Sequence, residues 1–221
     1  MRSLMLYTLL AGFILFGAVI PLNAAGNDTG YWGVYGVKGK LNEMLGLSSD
    51  IQFRVRDDFG DFHFFRWESG ATAKPLSWLD LSFFYRLNPR KQSGEWSNQH
   101  YLLLDQTLKG RLSPNWGVDW RNRFYIKLGE LGRSFVRERV QVTRKINRAS
   151  SWFVYNEFWI QTSELDGRDR YNVNWFSTGI KFKLPGGFDF SPHYLLRTDK
   201  GKTTGEWSTL HVLGTSLYYS F

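Results

Sequence analysis

From Trp116 to Leu128 the chain alternates apolar and polar side chains without a break. Trp116, Val118, Trp120, Asn122, Phe124, Ile126 and Leu128 fall on one side of an extended chain, and Gly117, Asp119, Arg121, Arg123, Tyr125 and Lys127 on the other. A period of two predicts a strand with one oily and one wet face. After Gly129 to Arg133 the alternation resumes, with Val136, Val140, Val142 and Ile146 opposing Arg137, Arg139, Gln141, Thr143 and Lys145. The two halves form a hairpin with a cationic face.

The same period recurs along the chain between turn signals. It predicts strands over Tyr31 to Leu41, Asp50 to Asp57, Phe62 to Ala73, Trp78 to Leu87 and His100 to Leu112 ahead of the hairpin. Trp152 to Gln161, Tyr171 to Leu184, Phe188 to Leu196 and Leu213 to Phe221 follow it. Asn88 to Asn98, Leu165 to Arg170 and Thr198 to Ser208 read as polar loops, and Pro185-Gly186-Gly187 as a tight turn. Connections therefore alternate short and long. Strands that reach the roughly 9–11 residues needed to cross a bilayer at a tilt, with extensions beyond it, suit a membrane barrel better than an ordinary domain, where strands average about 5–6.

The first residues have a different pattern. Met1-Arg2-Ser3 precedes an apolar run from Leu4 to Leu22 that ends in Asn23-Ala24-Ala25, which predicts a cleaved secretory signal peptide over residues 1–25 and one domain over 26–221. Losing Arg2 takes the formal net charge from +8 to +7. No cysteine is present, so neither a lipid-anchored cysteine nor a disulfide contributes. Ten Trp, eleven Tyr and eighteen Phe accompany a negative mean hydropathy, as expected when the outer halves of alternating strands meet lipid. The expected fold is all-β, an antiparallel transmembrane barrel of about 10–12 strands.

Two resemblances sharpen this. A final Phe221 preceded at two-residue steps by Tyr219 and Leu217 resembles the C-terminal signal read by the barrel assembly machinery, with Ser216 departing from its usual glycine. Arg54-Val55-Arg56, Trp120-Arg121-Asn122-Arg123, Arg137-Glu138-Arg139 and Tyr155-Asn156-Glu157-Phe158-Trp159, in that order, resemble a family of bacterial exported barrels known as domain of unknown function 2490. That resemblance implies a barrel in the cell outer membrane of a bacterium with two membranes, and no activity. Eleven strands are read where bacterial single-chain barrels have an even number. Ten or twelve are therefore expected in the wall, either because one strand is really two or because Tyr31 to Leu41 sits in the lumen.

Projected inward, the polar positions line a lumen with Arg54, Arg56, Arg66, Arg86, Lys109, Arg111, Arg121, Arg123, Arg137, Arg139 and Lys145. Glu68, Asp80, Asp105, Asp119, Glu157 and Asp189 oppose them, leaving a basic excess. Either ion pairs fill the narrow interior, giving a structural barrel, or rings of unpaired cations make an anion-preferring channel for small anionic solutes. Trp78, Trp96, Trp116, Trp152, Trp175 and Trp207 lie near predicted strand ends, as interfacial girdles do. The expected partners are outer-membrane lipid and lipopolysaccharide, the latter through Arg90, Lys91, Arg168, Lys200 and Lys202.

Other chemistries have weaker support. Asp189, Ser191 and His193 share a face, the basis for an alternative reading as a lumen-active hydrolase, but neighbours at two-residue steps stand about 6.6–7 Å apart, too far for direct hydrogen bonds. His63, His100 and His211 have no metal-ligand spacing, and no phosphate loop or dinucleotide fingerprint implies a cofactor. The pI of about 9.7 comes from cations alternating along strands of an exported chain, which argues against nucleic acid. A soluble exported calyx, with its apolar faces turned inward around an apolar ligand, is the remaining alternative.

Overall fold

A computed structural model describes residues 27–221 apart from 93, 131–132, 164–170 and 202–204. The expected signal peptide, Lys202 and the whole Leu165 to Arg170 loop with Arg168 lie outside the described residues.

Eleven strands form one closed barrel: β1 (Asn27–Lys40), β2 (Leu45–Arg56), β3 (Asp61–Leu76), β4 (Leu79–Gln92), β5 (Glu95–Ser113), β6 (Trp116–Leu128), β7 (Phe135–Lys145), β8 (Ser150–Gln161), β9 (Tyr171–Leu184), β10 (Phe188–Lys200) and β11 (Trp207–Ser220). Each strand pairs antiparallel with the next in sequence. The ring closes through β1 and β11, which run parallel from Asn27 beside Thr209 to Lys38 beside Ser220.

Two expectations about the wall are thereby corrected. Tyr31 to Leu41 lies in the wall rather than in the lumen, and no predicted strand splits in two. The reason is geometric: if neighbours alternate in direction around a ring of odd number, the first and last strands point the same way. The wall is antiparallel everywhere except at this one seam.

At one end lie the C-terminus and the connections 41–44, 77–78, 114–115, 146–149 and Pro185–Gly187; at the other lie Asn27, the connection 57–60 and the strand ends Gln92 and Glu95, Leu128 and Phe135, Gln161 and Tyr171, and Lys200 and Trp207. We call these the turn end and the loop end. The loop expected over Asn88 to Asn98 is instead the tip of a hairpin, with β4 paired to Gln92 and β5 from Glu95. Asn, Gln and Ser on both faces read as a loop, yet a hairpin beyond the apolar band needs no oily face. At the loop end Asp28 ties the start of β1 to the 57–60 connection by accepting from the Asp57 and Asp58 backbone N–H groups, each at 3.2 Å. Asp57, Asp58 and Phe59 all have left-handed backbone there, with φ of 52, 51 and 71°. The Asp28 carboxylate supports this otherwise disfavoured run.

The oily face of the wall looks outward. Trp120, Phe124 and Ile126 are exposed at 44, 45 and 43 %, whereas the side chains of Arg121 and Arg123 retain 14 and 8 %. Along β6 this sidedness is the reverse of what a soluble calyx would need. Leu217, Tyr219 and Phe221 also face outward, and the Phe221 N–H donates to the Lys38 carbonyl across the seam at 3.1 Å.

Candidate functional site

The lumen is built from the inward half of each strand, and its charged groups fall into two networks. In the first, Glu68 on β3 accepts from Arg86 Nε at 2.7 Å, Arg66 Nη1 at 3.1 Å and Arg123 Nη1 at 3.2 Å. Arg123 also forks onto Asp105, its cross-strand partner, with two hydrogen bonds of 2.6 Å. Arg66 reaches Asp50 at 3.1 Å, and Tyr218 donates to the other Asp50 oxygen at 3.0 Å. Three guanidiniums thus meet three carboxylates, and this network is neutral.

In the second, Glu157 on β8 is shared. Arg121 donates to one oxygen at 2.7 Å, and Arg137 Nε at 2.9 Å and Trp159 Nε1 at 3.1 Å donate to the other. Arg137 also donates to the Tyr125 hydroxyl, and its guanidinium lies 4.0 Å from the Trp159 ring. One carboxylate serves two cations here, so a positive charge remains.

Two further lumen arginines, like Lys145 and Lys181 beside the cavity, have no carboxylate within ion-pair distance among the described residues. Arg54, 7 % exposed, lies between the rings of Trp32 at 3.9 Å and Phe64 at 4.0 Å, and donates to Gln52 at 3.0 and 3.3 Å. Ring faces and an amide oxygen stand in for an anion. Arg139, directly across from Arg121, lies 5.3 Å from the Tyr155 ring, and its buried Nε has no partner. The surplus among the arginines is therefore concentrated at Arg54, around Glu157 and at Arg139, and Lys145 and Lys181 add to it beside the cavity.

Along the barrel axis the lumen has two halves. Toward the loop end and mid-height, Trp32, Trp175, Leu195 and Val212 pack together, with Tyr155, Trp159, Val173 and Leu210 against them. Phe84, Tyr101, Leu103 and Tyr125 form a second cluster with Phe135. Leu103 and Val212 are 0 % exposed and Leu195 1 %, which leaves no passage of water width beside these inward side chains. Toward the turn end the lumen opens into a cavity of about 1,040 Å³, lined among others by Lys38, Lys109, Asp119, Arg139, Lys145, Lys181 and Asp189. Among the described residues, aromatic and ion-paired packing thus occupies the mid-height and loop side of the lumen, and the cavity lies toward the turns.

Of the predicted lumen residues, Arg54, Arg66, Arg86, Arg121, Arg123, Arg137, Arg139, Glu68, Asp105 and Glu157 lie in this packed interior or at its boundary with the cavity. Asp80 pairs with Lys109 near the turn end, where Asp119, Lys145 and Asp189 also lie. Arg111 is exposed beside the 114–115 turn. Arg56 is an exposed rim residue at the loop end, 3.1 Å from Asp61. Lys38, Asp50 and Lys181, absent from the predicted set, also line the cavity. Glycines in β1 blur the alternation that would have placed Lys38; Lys181 alternates plainly with Ile180 and Phe182.

The predicted tryptophan girdle requires one correction. Trp78, Trp116 and Trp152 stand at the turn end and Trp96 and Trp207 at the loop end, but Trp175 points inward, 6 % exposed and 5.0 Å from Trp32. It shares the parity of Ser177 and Lys181, which proximity to a strand end does not reveal. Asp189, Ser191 and His193 all line the cavity without forming a relay. Asp189 is held by Lys38 at 2.5 Å, and His193 Nδ1 meets the Ser191 backbone carbonyl at 3.3 Å.

The family model for proteins of unknown function, DUF2490, matches residues 29–208. The chain belongs to the DUF2490 family. No curated protein matches it in sequence. Among solved structures, this DUF2490 chain is similar to the porin KdgM, with 14 % identity, a TM-score of 0.46 and coverage of 73 % of this chain and 80 % of that one. It is also similar to the porin NanC, with 8 % identity, a TM-score of 0.49 and coverage of 82 and 94 %.

Proposed function

We propose that this DUF2490 protein is a non-enzymatic barrel of the bacterial outer membrane whose lumen is plugged, leaving a cationic vestibule at the turn end. The observation that carries the reading is the filled interior: paired arginines and aromatic packing occupy the mid-height and loop side, where a pore would need water. The outward apolar band and the terminal Leu217, Tyr219 and Phe221 support the membrane address. Longer connections mark the extracellular side of such barrels, so the vestibule opens to the periplasm. A second reading, a narrow anion-preferring passage, is favoured by Arg54, Arg139, Lys145 and Lys181, cations beside the cavity that have no carboxylate within ion-pair distance among the described residues.

Conductance separates the two. Purified protein in planar bilayers is expected to give no steady open current. If instead it conducts with a preference for anions, and the double variant Arg121→Glu, Arg123→Glu loses that preference, the channel reading replaces the plugged one. Recovery of the protein from the soluble periplasmic fraction without detergent would overturn the membrane address itself.

A further inference from the structure

Toward the turn end the lumen carries positive charge that the described chain does not balance. Arg139, Lys145, Arg148, Lys181 and Lys183 all line the cavity, and none has a carboxylate within ion-pair distance among the described residues. The acids facing the same space are already engaged. Asp50 is held by Arg66, Glu68 by Arg66, Arg86 and Arg123, Glu157 by Arg121 and Arg137, and Asp189 by Lys38. Asp119 alone is left among the described lining residues, since Lys109 across from it pairs with Asp80.

Two of the five cations are held in a way that orients them without neutralising them. The Arg139 guanidinium lies 5.3 Å from the Tyr155 ring, and Lys181 Nζ lies 5.1 Å from the Phe153 ring. Those rings stack on each other, with centroids 6.1 Å apart and planes within 5°. One ladder of rings on β8 therefore separates a cation near the floor of the cavity from another nearer its mouth. Ring faces attract a cation but leave its charge in place. At the mouth, Ser151 of β8 pairs with Lys145 of β7 on one side and Lys181 of β9 on the other. With strands about 4.8 Å apart, the two lysines spring from points roughly 10 Å apart, close enough to converge on one group between them. Both are exposed.

Elsewhere in this lumen the chain supplies the counter-charge itself, as Asp105 does for Arg123 with two bonds of 2.6 Å. In the vestibule it must come from outside, and a concave cationic wall concentrates anions. The charge of the ligand has to be dense, because five cations share about 1,040 Å³. A phosphate monoester carries about 1.5–2 negative charges at neutral pH and accepts from both the guanidinium fork and the lysine ammonium, whereas a carboxylate carries one. We infer that the turn-end vestibule is a binding site for a small soluble ligand with two or more phosphate groups. Lys145 and Lys181 hold one phosphate at the mouth, and Arg139 holds another near the floor. The inference rests on the vestibule of the plugged-barrel reading and adds the class of molecule that occupies it.

Tripolyphosphate, orthophosphate and citrate are titrated separately by calorimetry into the folded barrel, in a phosphate-free detergent at fixed ionic strength. Heat-modifiable migration first establishes that each variant is folded. Tripolyphosphate is expected to bind at one site per barrel, at least tenfold more tightly than orthophosphate or citrate, with no lipid headgroup required. Lys145→Gln combined with Lys181→Gln is expected to weaken it at least tenfold. Lys74→Gln combined with Arg111→Gln removes the same charge at the same end but outside the cavity lining, and is expected to change binding less than twofold. No binding of tripolyphosphate, equally tight binding of orthophosphate or citrate, or an equal effect of the two double variants overturns the inference. Planar-bilayer conductance tests the underlying reading separately: a silent barrel that binds no tripolyphosphate overturns the site alone, and a steady current overturns the plug alone if the binding pattern holds.

Discussion

Glu157 is 1 % exposed and is the only carboxylate within ion-pair distance of Arg121 and Arg137 among the described residues. Replacing it by Gln keeps the shape but leaves two buried guanidiniums without a counter-charge, a loss that costs about 3–5 kcal/mol. Asp189→Asn breaks an ion pair of equally short geometry with Lys38, but that pair sits near the turn end with 45 and 34 % of its side chains exposed, where such pairs contribute about 0–1 kcal/mol. Urea unfolding in detergent should therefore show a large fall in midpoint for Glu157→Gln and almost none for Asp189→Asn. Arg54 points the other way. Its stacking on Trp32 and Phe64 contributes on the order of 2 kcal/mol, whereas burying a cation without a carboxylate costs several. Arg54→Met, which still fills the space between the rings, is expected to be no less stable than the native protein in the same titration. Arg121, Arg137 and Arg54 all fell on the polar face in sequence; which of them has a carboxylate depends on neighbours across the lumen that strand periodicity does not reveal.

At the level of elements, the eleven strands and their facing were legible because a period of two assigns every second residue to one face, as Trp120 and Arg121 illustrate. The closure was not legible. Alternation says nothing about which strand lies alongside or in which direction, so the parallel β1–β11 pair followed only from counting strands around a ring. That seam depends on close approach. A Cβ on Gly36 would lie 2.6 Å from the Tyr218 ring of β11, 2.8 Å from Asp50 Cβ and 2.8 Å from the Ser49 carbonyl of β2. At Gly117 the nearest atom would be 3.7 Å away. Gly36→Ala should thus cost about 1–3 kcal/mol as an overpacking change, whereas Gly117→Ala should stay within about 0.5. Refolding each variant into detergent and measuring the fraction that migrates as heat-modifiable folded barrel checks this: a deficit at Gly36 and none at Gly117 is expected, and equal yields would mean that the seam tolerates a wider spacing.

The molecule as a whole differs at its two ends, and the sequence concealed this difference because the packed half mixes inward apolar side chains with inward ion pairs. Leu103, Leu195 and Val212 are inward and apolar, so in β5, β10 and β11 oily residues occupy both faces and the alternation weakens where the plug forms. A barrel plugged in one half and open in the other must expose its lumen to one side only. Lys181, on the inward face of β9 beside the cavity, tests this in a chain with no other thiol. In vesicles where every barrel is inserted in the same direction, Lys181→Cys should react with a charged, membrane-impermeant maleimide added on the turn side and not on the loop side. Glu95→Cys, at the loop end, should react only from the loop side and so fixes the orientation. Labelling of Lys181→Cys from both sides at similar rates would require an aqueous path past Leu195 and Val212, and the plug would then have to be a gate that opens rather than a permanent filling.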